Sequence, residues 1–270
     1  MDLSGHDNAD CTVLVASCDA YRDIEAPFIT LFRRYWPDCP FRVVLLAETG
    51  RPDDGGDATF DEVIATGKGK SWCEMLAEAL SCISTPYVML LMNDYLLESR
   101  VDTGVVLKRL DQARSFDAAN LRLNPNPPGR TPWRDTDLLE FPKNVAYCVT
   151  CQTGIWNRDY LEWLARRNRS AWEFERYGSF MLADETRPLL VTRTMEFPFI
   201  DTLHKGYWER AGVRLCEENH VHIDLASRTL PPFLVRVREC LKSIAFAVFP
   251  ASAIVRLQNA FGSLTRALRV

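Results

Sequence analysis

Apolar residues follow two rhythms along the chain. Residues 12–17 (TVLVAS), 41–47 (FRVVLLA) and 87–92 (YVMLLM) are compact apolar runs without polar alternation. Runs of that kind predict strands buried on both faces. Residues 60–64 predict a further, shorter strand. Between these runs the apolar positions recur at helical spacing. Ile24, Phe28, Leu31, Phe32 and Tyr35 form one face of a helix over 19–36, which Pro37 stops. Met75, Leu76, Ala79, Leu80 and Ile83 predict a helix over 72–83, and 103–114 predicts a third. Strand and helix alternate through the first 115 residues, the pattern of an α/β sheet covered on both faces. Such sheets bind ligands beyond the carboxyl ends of their strands. Those ends carry Ser17-Cys18-Asp19, Glu48 and Asn93-Asp94-Tyr95.

The second half is less regular. Residues 124–133 (NPNPPGRTPW) predict a proline-rich loop, and 147–152 an extended segment. Asn157 predicts the cap of a helix running to about Arg167, and 170–182 a further helix. Pro231-Pro232 marks a boundary. The organisation expected is a domain over 1–227 in two halves, at about 11–115 and about 116–227. A basic amphipathic helical tail then covers 228–270.

Composition narrows the class. The chain has 270 residues, 47% apolar and 25% charged, ordinary for a soluble globular protein. A net charge of −4 and a pI of about 5.7 argue against nucleic acid as a partner. The charge is uneven. The tail carries seven Lys/Arg and one acid, net +6, which leaves 25 basic and 35 acidic residues elsewhere, net −10. In the tail Leu234, Val237, Leu241 and Ile244 interleave with Arg236, Arg238 and Lys242, a pattern that suits an anionic membrane surface or a partner subunit. Nine scattered cysteines and the absence of an apolar signal core in residues 1–10 read as reduced thiols in a cytoplasm. Cys148-x-x-Cys151 has redox or zinc spacing but no second pair to complete a zinc site. No run reaches the roughly 18 apolar residues of a spanning helix.

Several residues can carry chemistry. Asp94, directly after a buried strand, can hold a divalent cation that bridges a diphosphate; Asn-Asp is also ordinary turn chemistry. Asp19 and Tyr21 can bind and stack a nucleoside, or Asp19 can cap the helix that follows. Gly67-Lys68-Gly69-Lys70-Ser71 is a flexible basic loop without P-loop spacing. Glu173 and Glu175 lie between aromatics, where shielding suits a carboxylate to general-base work; Ser170-x-x-Glu173 is equally a capping box. Gln152, Trp156 and Trp163 suit a carbohydrate platform or ordinary core. His204-Lys205-Gly206 can approach a phosphate. His220 and His222 alternate across a strand-like run, so both face one side, and they form a sparse metal pair without a nearby acid cluster.

Asn93-Asp94-Tyr95, with Ser17-Cys18-Asp19 after the first strand and Lys70-Ser71-Trp72 opening a helix, resembles the nucleotide-sugar half of GT-A-fold glycosyltransferases. Gln152-x-Gly154-Ile155-Trp156 and Trp172-Glu173-Phe174-Glu175 resemble a bacterial branch of these enzymes that builds surface polysaccharide. The resemblance spans about 12–225 and implies that 1–227 is a catalytic domain, with a nucleotide-binding half at about 11–115 and an acceptor half at about 116–227. It implies a mostly parallel, Rossmann-like sheet flanked by helices, and sugar transfer from a nucleotide-sugar donor to a polysaccharide or lipid-linked glycan acceptor. A base opposite the leaving group implies inversion by single displacement. The implied donor-binding residues are Ser17, Cys18, Asp19, Tyr21, Lys70, Trp72, Asn93, Asp94, Tyr95, His204 and Lys205. Glu173 or Glu175 is the implied base, and Gln152 and Trp156 the acceptor contacts. The usual Asp-x-Asp metal motif is Asn-Asp-Tyr here, so Mg²⁺ or Mn²⁺ would rest on Asp94 and a later His. The implied location is the cytoplasm, peripheral to the inner membrane face. Two alternatives stay open: a nucleotidyltransferase on a similar sheet, and a non-catalytic carbohydrate- or membrane-binding protein. The absence of glycine from Ser17 to Asp23 counts against the former.

Overall fold

The computed structural model describes residues 10–50, 59–143, 145–181 and 185–232. The expected tail beyond Pro232 lies outside the described residues. In chain order the elements are β1 (Cys11–Ala16), α1 (Arg22–Tyr35), β2 (Arg42–Ala47), β3 (Glu62–Ala65), α2 (Trp72–Cys82), β4 (Tyr87–Met92), β5 (Tyr95–Leu97), α3 (Thr103–Ser115) and β6 (Asn120–Arg122). There follow β7 (Thr131–Pro132), β8 (Leu139–Glu140), β9 (Gly154–Asn157), α4 (Arg158–Ala165), α5 (Ala171–Arg176), β10 (Leu189–Val191), β11 (Phe199–Asp201), β12 (Leu203–His204), β13 (Tyr207–Trp208) and α6 (Arg210–Glu218).

One sheet of nine strands runs in the order β3-β2-β1-β4-β9-β6-β10-β8-β7. β3, β2, β1 and β4 are mutually parallel. β9 is antiparallel to both β4 and β6, so β6 and its parallel neighbour β10 point the same way as β1. The expected α/β architecture, a mostly parallel sheet flanked by helices, is present. The sheet draws strands from both sides of residue 115.

Central position explains the unbroken apolar runs. Cys11, Val13 and Val15 of β1 face one core, with Ile24, Phe28 and Phe32 of α1 and Val106 and Leu110 of α3. Leu14 and Ala16 face the other, with Leu76 and Leu80 of α2 and Leu161 and Leu164 of α4. Every second residue therefore enters a different core, and none is left for water.

Three expectations change. Residues 147–152 form bends and turns, and the strand starts at Gly154. An added Cβ at Gly154 would lie 2.9 Å from the Asn120 side-chain nitrogen and 3.2 Å from the Leu121 carbonyl. Only a residue without a side chain lets β9 close on β6. The helix expected over 170–182 ends at Arg176 and passes into a short 3-10 turn, Gly178–Phe180. His220 and His222 lie after α6 rather than in a strand.

Candidate active site

The carboxyl ends of β1 and β4 are tied together by buried polar groups. The Asn93 side-chain nitrogen donates to Ser17 Oγ (2.9 Å) and to the Tyr21 carbonyl (3.1 Å). Ser17 Oγ donates to Glu25 Oε1 at 2.6 Å. Ser17 and Asn93 are both buried, and Ser17 Oγ and the Asn93 side-chain nitrogen are engaged in this network. Their place is therefore in the scaffold under the site, not at its surface. Asp19 does not cap α1: it opens a 3-10 turn (Asp19–Tyr21) whose cap is Cys18. Its Oδ1 accepts from Thr49 Oγ1 at 2.8 Å, its backbone N–H donates to Glu48 Oε2 at 2.8 Å, and Lys68 Nζ lies 3.6 Å from Oδ2. The ends of β1 and β2 thus present a mixed-charge rim, with Cys18 half-buried beside it.

Asp94 is the focus of the edge. Thr202 holds its backbone carbonyl through N–H (3.0 Å) and Oγ1 (2.8 Å), which fixes the residue against the turn into β12. Its Oδ1 is buried and has no hydrogen-bond partner. Burial, with the Asp201 carboxylate as the second cause, pushes the Asp94 pKa up to about 7, while Arg228 opposes the rise. Asp201 arrives because β11 pairs with β5 and sets Asp201 opposite Tyr95. It too is raised, chiefly by burial, and His204 draws it back. Tyr95 stacks on Phe199 with ring centroids 4.2 Å apart. Tyr21 feels both Asp94 and Arg228.

Arg228 closes this side. It pairs with both oxygens of Asp23 (2.8 and 2.9 Å), donates to the Gly206 carbonyl at 3.0 Å, and lies 4.7 Å from the Tyr21 ring centroid. Gly206 and Lys205 both have positive φ (81° and 52°). That is the signature of a two-residue hairpin turn, here between β12 and β13. The turn displays Lys205 at its tip, beside His204.

The two candidate bases separate cleanly. Glu173 Oε2 accepts from the Arg169 N–H (2.9 Å), and Ser170 Oγ accepts from the Glu173 N–H (3.2 Å). Glu173 is thereby committed to the start of α5. Glu175 Oε1 accepts from Thr150 Oγ1 (2.9 Å) and the Cys151 N–H (2.8 Å). Its charge reaches Tyr95 and Cys151, and Asp94 acts on the same two groups. The structure therefore brings Glu175 to the Asp94 edge. Gln152 follows in the same segment, half-buried.

Trp156 corrects the reading of an exposed platform. It is 0% exposed and packs against Tyr160 and Phe174, because β9 lies between β4 and β6 and every second residue there enters a core. Trp156→Ala should destabilise the protein by about 3–5 kcal/mol, measured by chemical denaturation. The exposed indole is instead Trp172, 71% exposed, one helical turn from Glu175. Trp72 packs edge-on against Phe174. Lys70 bonds Glu78 and the Thr66 carbonyl and lines an open groove between α2 and the end of α4, with Arg166 and Arg169.

A divalent cation fits on one ground: a buried carboxylate oxygen without a partner, with a second carboxylate acting on it. Among the described residues no three His, Cys, Asp or Glu gather to hold a metal. Asp94 and Asp201 would supply two ligands and leave the rest to phosphate oxygens and water, as Mg²⁺-type sites usually do. No described helix is long and apolar enough to cross a membrane.

No protein-family model matches the chain, and no curated protein matches it. Solved structures similar to it include S. aureus TarS 1-349, at 10% identity and a TM-score of 0.43, covering 70% of this chain and 59% of that one. They include the mannosyltransferase PcManGT from Pyrobaculum calidifontis in complex with GDP-Man and Mn²⁺, at 13% identity and a TM-score of 0.43, covering 93% and 79%. A cytidylyltransferase from Leptospira borgpetersenii serovar Hardjo-bovis is also similar, at 12% identity and a TM-score of 0.41, covering 78% and 95%. The chain thus spans less than two thirds of the TarS structure.

Proposed function

We propose that the chain is a nucleotide-sugar-dependent glycosyltransferase acting on a polysaccharide or lipid-linked glycan. The observation that carries the reading is the buried Asp94 carboxylate at the carboxyl end of β4, its Oδ1 without a hydrogen-bond partner, with Asp201 and Glu175 acting on the same groups. Residues up to about 115 supply most of the donor half. The 3-10 turn after β1, with Cys18, Asp19 and Tyr21, receives the nucleoside. Asp94 and Asp201 would hold a divalent cation, which would supply charge neutralisation for the diphosphate there. Arg228 and Lys205 add positive charge around the leaving group, with His204 beside them as a hydrogen-bonding group, where charge counts most as it builds in the transition state.

Glu175 takes the proton of the acceptor hydroxyl on Oε2, while Thr150 and Cys151 hold Oε1. The acceptor oxygen then bonds to the anomeric carbon, and the bond from that carbon to the diphosphate oxygen breaks. A single displacement of this kind inverts the anomeric centre. Trp172 offers the aromatic face that Trp156 does not, and Gln152 a neighbouring amide. The tail is proposed to hold the enzyme at the inner membrane face.

The nucleotidyltransferase reading would require a glycine-rich basic loop after β1. The chain passes instead from Ala16 through two residues into the Asp19–Tyr21 turn and α1. The test is product release: UDP-, GDP- and CMP-sugars incubated with the protein should yield the free nucleotide with one donor class. Pyrophosphate released from a nucleoside triphosphate and a sugar phosphate would transfer the assignment to the other class.

A further inference from the structure

Two charged side chains among the described residues have buried polar atoms without a hydrogen-bond partner: Asp94, and Arg122 through both terminal guanidinium nitrogens. Arg122 is 1% exposed. The contrast with Arg109, 4% exposed, shows how this protein otherwise treats a buried arginine. Arg109 grips Asp137 with two nitrogens (2.7 and 2.9 Å) and Glu196 with Nε at 2.7 Å. Arg122 has only the Phe141 ring, 4.4 Å from its central carbon, with Cys148 nearby. Burial pulls its pKa down to about 10, and no carboxylate offsets the loss. A guanidinium buried without an anion is among the most costly arrangements in a protein interior.

The position is as informative as the missing partner. Arg122 ends β6, which runs parallel to β4 with β9 between them. Arg122 stands level with Leu90 of β4, two strand spacings or about 10 Å across the sheet, and Asp94 lies four residues further along in the same direction, so the two orphaned charges occupy separate positions toward the carboxyl side of one sheet. Two further buried donors without partners follow at this edge: the Asn124 side-chain nitrogen and Thr153 Oγ1. The Leu123 N–H donates to the Thr153 carbonyl at 3.0 Å, so these residues belong to the same β6–β9 junction. Donors without acceptors, headed by a cation, suit an anion.

We propose that Arg122 anchors an anionic group, phosphate or carboxylate, carried by the acceptor at a site distinct from the diphosphate position at Asp94. The proposal rests on the glycosyltransferase reading for the word acceptor, but the anion site stands on Arg122 itself. It names the acceptor class as an anionic glycan.

The test is the melting temperature of the full chain at fixed ionic strength, with inorganic phosphate or acetate replacing chloride. Wild type, Arg122→Met and Arg122→Lys are compared. At about 100 times Kd the anion should raise the wild-type Tm by roughly 5–10 °C. Arg122→Met should melt higher than wild type in chloride, because the unpaired charge is gone, and should lose the anion-dependent rise. Arg122→Lys, which keeps the charge but not the fork, should retain a reduced rise. A larger response to phosphate than to acetate assigns a phosphate-bearing acceptor, and the reverse a carboxylate-bearing one. Equal rises in wild type and Arg122→Met, or no rise in either, would overturn the site. A nucleotide-sugar titration of Arg122→Met separates the two claims. Retained donor binding leaves the glycosyltransferase reading intact whatever the anion result, whereas an anion response without donor binding in wild type sinks that reading alone.

Discussion

Asp94→Ala should abolish sugar transfer, with kcat lowered at least about 10²-fold, the scale of losing one group that stabilises transition-state charge. Donor affinity in the presence of a divalent cation should fall with it, because the carboxylate would hold the cation that offsets the diphosphate charge in the ground state as well. The side chain also leaves a signature in stability. Its folded-state pKa, about 7, lies above the unfolded value of about 3.9. Such a carboxyl stabilises the fold when protonated, and that contribution is lost as pH rises from about 4 through 7. In chelator, wild type should therefore lose stability over that window relative to Asp94→Asn, and the variant should be the more stable protein at pH 8. An inactive variant that is also more stable is the mark of a site residue held against the preference of the fold. Urea denaturation at several pH values, beside a turnover assay, reads both effects.

Glu175→Gln should lower kcat by about 10²–10⁴-fold, the range for a positioned general base, while donor binding stays near the wild-type value. The amide oxygen can still accept from Thr150 and Cys151, so the segment that Oε1 holds in place should keep its shape. Glu173→Gln is the control two residues away. Its carboxylate caps α5, so it should cost a fraction of the stability and leave kcat unchanged. Steady-state kinetics with separate determination of kcat and KM distinguishes the pair. A large kcat loss in Glu173→Gln with none in Glu175→Gln would reverse the assignment.

What was legible in the sequence follows burial. β1, β2 and β4 are central, covered on both faces and unbroken in their apolar pattern, so their runs stand out. Asn157 as a helix cap and Ser170-x-x-Glu173 as a capping motif are also readable, since local hydrogen bonding sets them. The short strands β6 and β11 are not readable. Each has three residues and includes polar side chains, Asn120 and Arg122 in one and Asp201 in the other, that sheet pairing alone brings to the edge. Nothing local in the sequence therefore marks Asp201 as the carboxylate that acts on Asp94. Composition groups Arg228 with the basic tail, although it pairs with Asp23 and contacts Tyr21 over a separation of some two hundred residues. Trp156 and Trp172 exchange roles because periodicity cannot say which indole a four-residue strand buries.

The central claim is that the Asp94 edge binds a nucleotide sugar. The most direct measurement is a calorimetric titration of UDP-, GDP-, CMP- and TDP-sugars into wild type and Asp94→Ala, each with and without Mn²⁺. The account predicts that one nucleotide class binds wild type, more tightly with Mn²⁺, and that Asp94→Ala loses both the affinity and the metal dependence. Absence of binding by every nucleotide sugar, or equal binding by wild type and variant, would contradict it.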